Sequence, residues 1–172
     1  MAEWENPKIF DSGYGPDVEI IRLDLYRLLN QFLASPLLSD MCDKDAHLNH
    51  AMYSLDHFFE IEATRILLSS AVIARVIDDR DNMLKEFDTG CGELIPNLDN
   101  PNHILDLNLR GACNKIIHAK TIKYDIEVGI QGYDQRVFKP YIYYYGSKGK
   151  TKWKATLNVV DYIKRYTDNV VY

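Results

Sequence analysis

The chain has only three cysteines, Cys42, Cys91 and Cys113, an odd number without C-x-x-C spacing. That argues against a disulfide framework and against a structural zinc site. No apolar run approaches the roughly 18 residues needed to cross a bilayer. The N-terminus, MAEWENPKIF, has no basic start followed by an apolar stretch, so it does not read as a secretory signal. The expectation is a soluble cytoplasmic protein with no membrane partner. There is no glycine loop with a phosphate-binding Lys, no G-x-G-x-x-G after a strand and no G-x-S-x-G. No Glu-x-x-His occurs either, and a di-metal bundle site would need it. His47, His50, His57 and Glu60 have a spacing that metals use, but without that motif no metal and no other cofactor is expected.

What is present suits a packed domain. The 172 residues are 47% hydrophobic and include twelve tyrosines, which bring large buried bodies with polar tips. Charge is divided unevenly. Residues 1–109 carry 8 Lys/Arg against 20 Asp/Glu, and residues 110–172 carry 12 against 5. The acidic front and basic back either attract each other or leave the back facing an anionic partner.

Apolar residues first recur at helical spacing. Ile21, Leu25, Leu28, Leu29 and Phe32 predict a helix from Val18 to Ala34, with Pro36 stopping it. A second, long helix is expected from Ala46 to Arg80, unbroken or bent near Ser69 and Ser70. Residues 89–102 carry the punctuation of a loop, and Asn102 reads as the cap of a third helix ending near Ala119. The period then changes to two. Strands are expected at Ile122–Val128, Val137–Tyr145 and Lys152–Leu157, the last two joined by a turn at GSKGK. Asn158 reads as the cap of a final helix. The expected class is α+β: a helical bundle over 1–119, then a three-stranded antiparallel sheet and a C-terminal helix over 120–172, packed as one domain.

Two groups of residues carry candidate chemistry. Arg110, Asn114 and His118 lie four apart within LNLRGACNKIIHA, so they share one side of the third helix. A guanidinium can hold a phosphate, an amide can orient it, and an imidazole can move a proton near neutral pH. The same residues also suit a solvated helix end, where a cationic imidazole complements the helix dipole. The second group is Lys148, Lys150, Lys152 and Lys154 around the hairpin turn, beside Tyr141, Tyr143 and Tyr145. Lysines there could hold a nucleic-acid backbone while tyrosines stack on bases. A lysine-rich hairpin also discourages edge-to-edge aggregation.

The segment Leu109–Ala119, above all NKIIHA, resembles the signature helix of the HEPN superfamily. Asn114 and His118 fall on that motif's Asn and His. The chain departs from it at Cys113, where the family carries Arg, and Arg110 comes one turn earlier. The resemblance implies a helical bundle that binds or cleaves RNA, in some members in bacterial defence, as a homodimer through its bundle helices. If active, the chain would be a metal-independent ribonuclease with His118 as acid or base, Arg110 as phosphate clamp and Asn114 as orienter. The alternatives are a non-catalytic module that binds a protein or nucleic acid, and a structural subunit that assembles through its sheet.

Overall fold

The computed structural model describes residues 18–44, 49–81, 84, 90–128 and 136–171, and within them leaves aside the side chains at 18, 42–44, 49–57, 81 and 128. His47, the side chains of His50 and His57, and nearly all of the expected turn at 129–136 therefore lie outside the described residues.

Two long helices open the fold, α1 (Val18–Lys44) and α2 (Asn49–Asp81). Ile21, Leu25, Leu28 and Phe32 are buried along one side of α1, as their spacing requires. Phe59, Ala63, Ile66 and Ser70 do the same on α2. Pro36 does not stop α1, which runs on for two further turns. Packing offsets the hydrogen bond that proline removes: next to it, the buried Ser35 Oγ accepts the N–H of Phe138 at 2.8 Å. Ser69 and Ser70 do not interrupt α2 either. Each hydroxyl donates to the carbonyl three residues back, a local bond that a continuous helix accommodates.

The three-stranded sheet is the expectation that the structure overturns. The sheet has five strands, all antiparallel, in the order β2-β1-β5-β4-β3. The two extra strands, β1 (Gly90–Ile95) and β2 (Leu105–Asn108), come from the stretch read as a loop and from the first turn of the expected third helix. Gly92, which looks like loop punctuation, is demanded by strand pairing. Gly92 has φ 155°, and a Cβ there would strike the Thr156 carbonyl on β5. The third helix, α3, accordingly starts at Leu109 rather than at Asn102, capped by Asn108, and ends at His118.

The remaining elements follow the sequence closely: β3 (Thr121–Val128), β4 (Arg136–Lys148), β5 (Thr151–Asn158) and α4 (Val159–Asn169). Asn158 caps α4 by accepting the N–H groups of Val160 and Asp161. The sheet draws strands from both sides of position 119, and one hydrophobic core runs across that position. At its centre the Phe59 ring stacks on Phe138 with centroids 3.9 Å apart, and Phe32 meets Phe59 edge-on at 4.9 Å. Tyr162 and Tyr166 bury their rings and satisfy their tips. Tyr162 OH shares a hydrogen bond with Ser70 Oγ at 2.9 Å, and Tyr166 OH donates to the Ser70 carbonyl at 2.9 Å. No helix among the described residues is long and apolar enough to cross a membrane.

Candidate functional site

The fold fixes α3 tightly at both ends. Asn108 Oδ1 accepts the Gly111 N–H at 2.8 Å and closes the first turn. Leu109, Ala112, Cys113 and Ile116 are buried beneath the helix. Ala119 leaves the helix in extended conformation. The next residue, Lys120, donates its N–H to the Tyr145 carbonyl at 2.8 Å and its Nζ to Ser147 Oγ at 2.7 Å. The last turn of α3 is thereby tied to β4, close to the β4–β5 turn.

That arrangement divides the polar stripe. Arg110, at the start of α3, turns towards α2. Its guanidinium pairs with Asp78 and lies 3.6 Å from Asp79. The Asp78 side chain has no exposed surface, and it also takes Arg75 Nη1 at 3.3 Å and the Leu84 N–H at 2.8 Å. Arg110 is thus one of two cations neutralising a buried carboxylate. Asn114 is half-buried and makes no side-chain hydrogen bond among the described residues. His118 is exposed in the last turn, roughly 12 Å along the helix axis from Arg110 at 1.5 Å per residue. Asn114 and His118 are free to meet a ligand, whereas the guanidinium is already held by carboxylates. Asp78 and Asp79 are the functional neighbours that sequence reasoning missed. Their signal was the i,i+3 and i,i+4 spacing from Arg75.

The hairpin lysines lie around a two-residue turn, Gly149–Lys150, where Gly149 has φ 61°. Lys148, Lys150 and Lys152 are exposed and make no ion pair among the described residues. Lys154 is half-buried, with Nζ 4.6 Å from the centre of the Tyr143 ring. Register places Tyr143 opposite Thr156, Tyr145 opposite Lys154 and Ser147 opposite Lys152. Cross-strand partners share a face, so the tyrosines and these two lysines line one side of the sheet. Lys123 of β3 joins them, 5.5 Å from the Tyr145 ring.

On the opposite side, Trp153 is buried and Lys115 of α3 sits over it, Nζ 4.4 Å from the ring centre. Burial lowers the Lys115 ammonium below the usual lysine range, and the positive charge of Lys148 pushes it further in the same direction. Two segments far apart in sequence therefore meet at one end of the sheet. The end of α3 brings Lys115 and then Lys120, and the hairpin brings Lys148, Lys150 and Lys152. Like charges gathered in this way repel each other in the free protein and favour an anion.

Glu60 is taken up by an ion pair with Arg136 at 2.7 Å, and Arg65 by Glu62 and Asp24. Among the described residues no group of three or more His, Cys, Asp or Glu is placed to hold a metal ion. No family model matches the chain, and comparison with curated proteins and with solved structures gave no match.

Proposed function

We propose that the protein is a HEPN-like RNA-binding protein that holds the phosphate backbone at the cationic end of its sheet. The observation that supports this reading is the meeting of Lys115 and Lys120, at the end of α3, with the lysine hairpin: Lys115 lies over Trp153 and feels the charge of Lys148, and Lys120 bonds Ser147. Lysines contact phosphates without reading sequence. Tyr143 and Tyr145 offer ring faces on the adjoining side of the sheet, where unpaired bases can stack. Binding without cleavage is the form best supported. Arg110, the one cation in the stripe suited to clamping a scissile phosphate, is already engaged by Asp78 and Asp79. A place in bacterial defence rests on the HEPN resemblance alone.

Fluorescence anisotropy with a labelled single-stranded oligoribonucleotide tests the reading. Affinity is expected to fall steeply as salt rises, and Lys150→Ala with Lys152→Ala to flatten the salt slope by about 0.7 per lysine removed. Lys164→Glu on the exposed side of α4 serves as the control and is expected to change little. Salt-independent binding, or binding indifferent to the paired lysine change, would reject the proposal. Metal-independent cleavage of the same oligonucleotide that disappears in His118→Ala would instead favour the ribonuclease.

A further inference from the structure

Lys115 differs from the other lysines at its end of the sheet. It is half-buried, with Nζ 4.4 Å from the centre of the Trp153 ring. Trp153 is itself buried, so the amine rests against an apolar wall. Nζ makes no hydrogen bond and no ion pair among the described residues. By contrast, Lys120 donates its Nζ to Ser147 Oγ at 2.7 Å, and Lys150 and Lys152 are exposed to water.

Strand register puts a second cation beside it. Gly146 pairs with Trp153 and Lys148 with Thr151. Residues two apart on a strand share a face, so Lys148 projects on the side where Lys115 covers the indole. Burial disfavours the Lys115 ammonium and Lys148 repels it, so its proton leaves below the usual lysine range. The indole face attracts the ammonium and holds Nζ in place. The other titratable groups at this end are His118, Lys120, Lys150, Lys152 and Asp99. Asp99 follows Leu98, whose N–H donates to the Lys152 carbonyl at 2.9 Å. None of them bonds Lys115. The charges that α2 brings to α3, Arg75, Asp78 and Asp79, gather at Arg110, and Asp161 and Arg165 of α4 act on Cys91.

A lysine amine that is desolvated and set next to another cation is available as a nucleophile. We propose that Lys115 forms an imine with a small aldehyde that carries a phosphate, the phosphate meeting Lys148. The neutral Nζ adds its electron pair to the carbonyl carbon, and the carbonyl oxygen takes up the proton that nitrogen releases. The resulting carbinolamine takes one proton from solvent and loses its oxygen as water, which leaves a protonated imine. The positive charge thus stays over the Trp153 ring, and the phosphate neutralises Lys148. Imine formation needs no further side chain, since water supplies and accepts the proton. Lys148 also belongs to the surface proposed for RNA, but the reaction does not require RNA.

The test uses the full chain without RNA. It is incubated with pyridoxal 5′-phosphate, the imine is fixed with cyanoborohydride, and the modified peptides are identified by mass spectrometry. At about pH 7.5, Lys115 is expected to react roughly tenfold faster than Lys164, which is exposed on α4, in proportion to its larger neutral fraction. The rate at Lys115 is also expected to rise at a lower pH than the rate at Lys164. Lys148→Ala is expected to move that rise to higher pH and to slow the reaction several-fold, with an unchanged circular dichroism spectrum. Pyridoxal, which lacks the phosphate, is expected to react more slowly than its phosphate ester. Label spread evenly over the exposed lysines, a Lys115 rate untouched by Lys148→Ala, or equal rates for the two aldehydes would each overturn the proposal. With no RNA in the mixture, loss of the imine and loss of RNA binding are read separately.

Discussion

A carboxylate with no exposed surface needs its charge matched where it sits, and Asp78 has its partners in place: the guanidinium groups of Arg75 and Arg110 and the N–H of Leu84. Replacing the carboxylate by an amide removes the charge that holds the two guanidinium groups and turns one of its acceptor oxygens into a donor facing an arginine. Asp78→Asn is expected to destabilise the protein by about 2–3 kcal/mol, at the lower end for breaking a buried pair because both arginines keep some contact with water. Arg110→Ala is expected to cost less, about 1–2 kcal/mol, since Arg75 remains. Urea unfolding measures both. RNA affinity is expected to survive Arg110→Ala; a variant with native stability and lost affinity would show that the guanidinium serves the ligand. This residue shows the limit of motif reading. In the sequence, Arg110 has the same relation to Asn114 and His118 whether its side chain faces a phosphate or Asp78. The choice belongs to α2, some thirty residues away.

At the scale of elements, the β4–β5 hairpin is held in register by one close fit. Gly146 pairs with Trp153 across the strands, and the indole packs against the bare glycine backbone. A Cβ at Gly146 would overlap the indole at its Cζ2. Gly146→Ala is therefore expected to destabilise the protein by about 1–3 kcal/mol, visible as a lower urea midpoint and a shifted Trp153 emission. Because Lys115 rests on the same ring, the change is also expected to disturb the cationic end of the sheet. The strands of this hairpin were legible because their alternation is local. β1 and β2 were not. They are short, the glycines of β1 imitate a loop, and β1 is locked in place by β5, more than fifty residues downstream, while β2 pairs with β1 alone. Pro36 illustrates the converse. A rule that holds for an isolated helix yields where packing against β4 holds the next turn in place.

At the scale of the whole molecule, the buried thiols report on cooperativity. Cys91 donates to the Leu107 carbonyl at 3.3 Å, and Cys113 lies 3.9 Å from Tyr162 OH, both within the single core. Burial pushes each thiol up to about 12, far from the thiolate form that reacts. Neither is expected to take up iodoacetamide in the native protein at about pH 8. Both are expected to become labelled together, as urea unfolds the chain, when peptides are followed by mass spectrometry. Labelling of either one well before the global transition would mean that the sheet and the helical layer open separately.

The amino-acid sequence by itself determined the helices α1, α2 and α4, the strands β3 to β5, the cap at Asn158 and the basic character of the C-terminal third. Each of these depends on neighbours within a few positions, so periodicity and local chemistry carry them. Only the tertiary structure decided that the sheet has five strands, that Arg110 is committed to Asp78, and that the end of α3 meets the lysine hairpin. Those outcomes depend on which distant backbone or charge comes within a few ångströms. A local pattern does not encode that proximity; the closing of the core around α2 and β5 produces it.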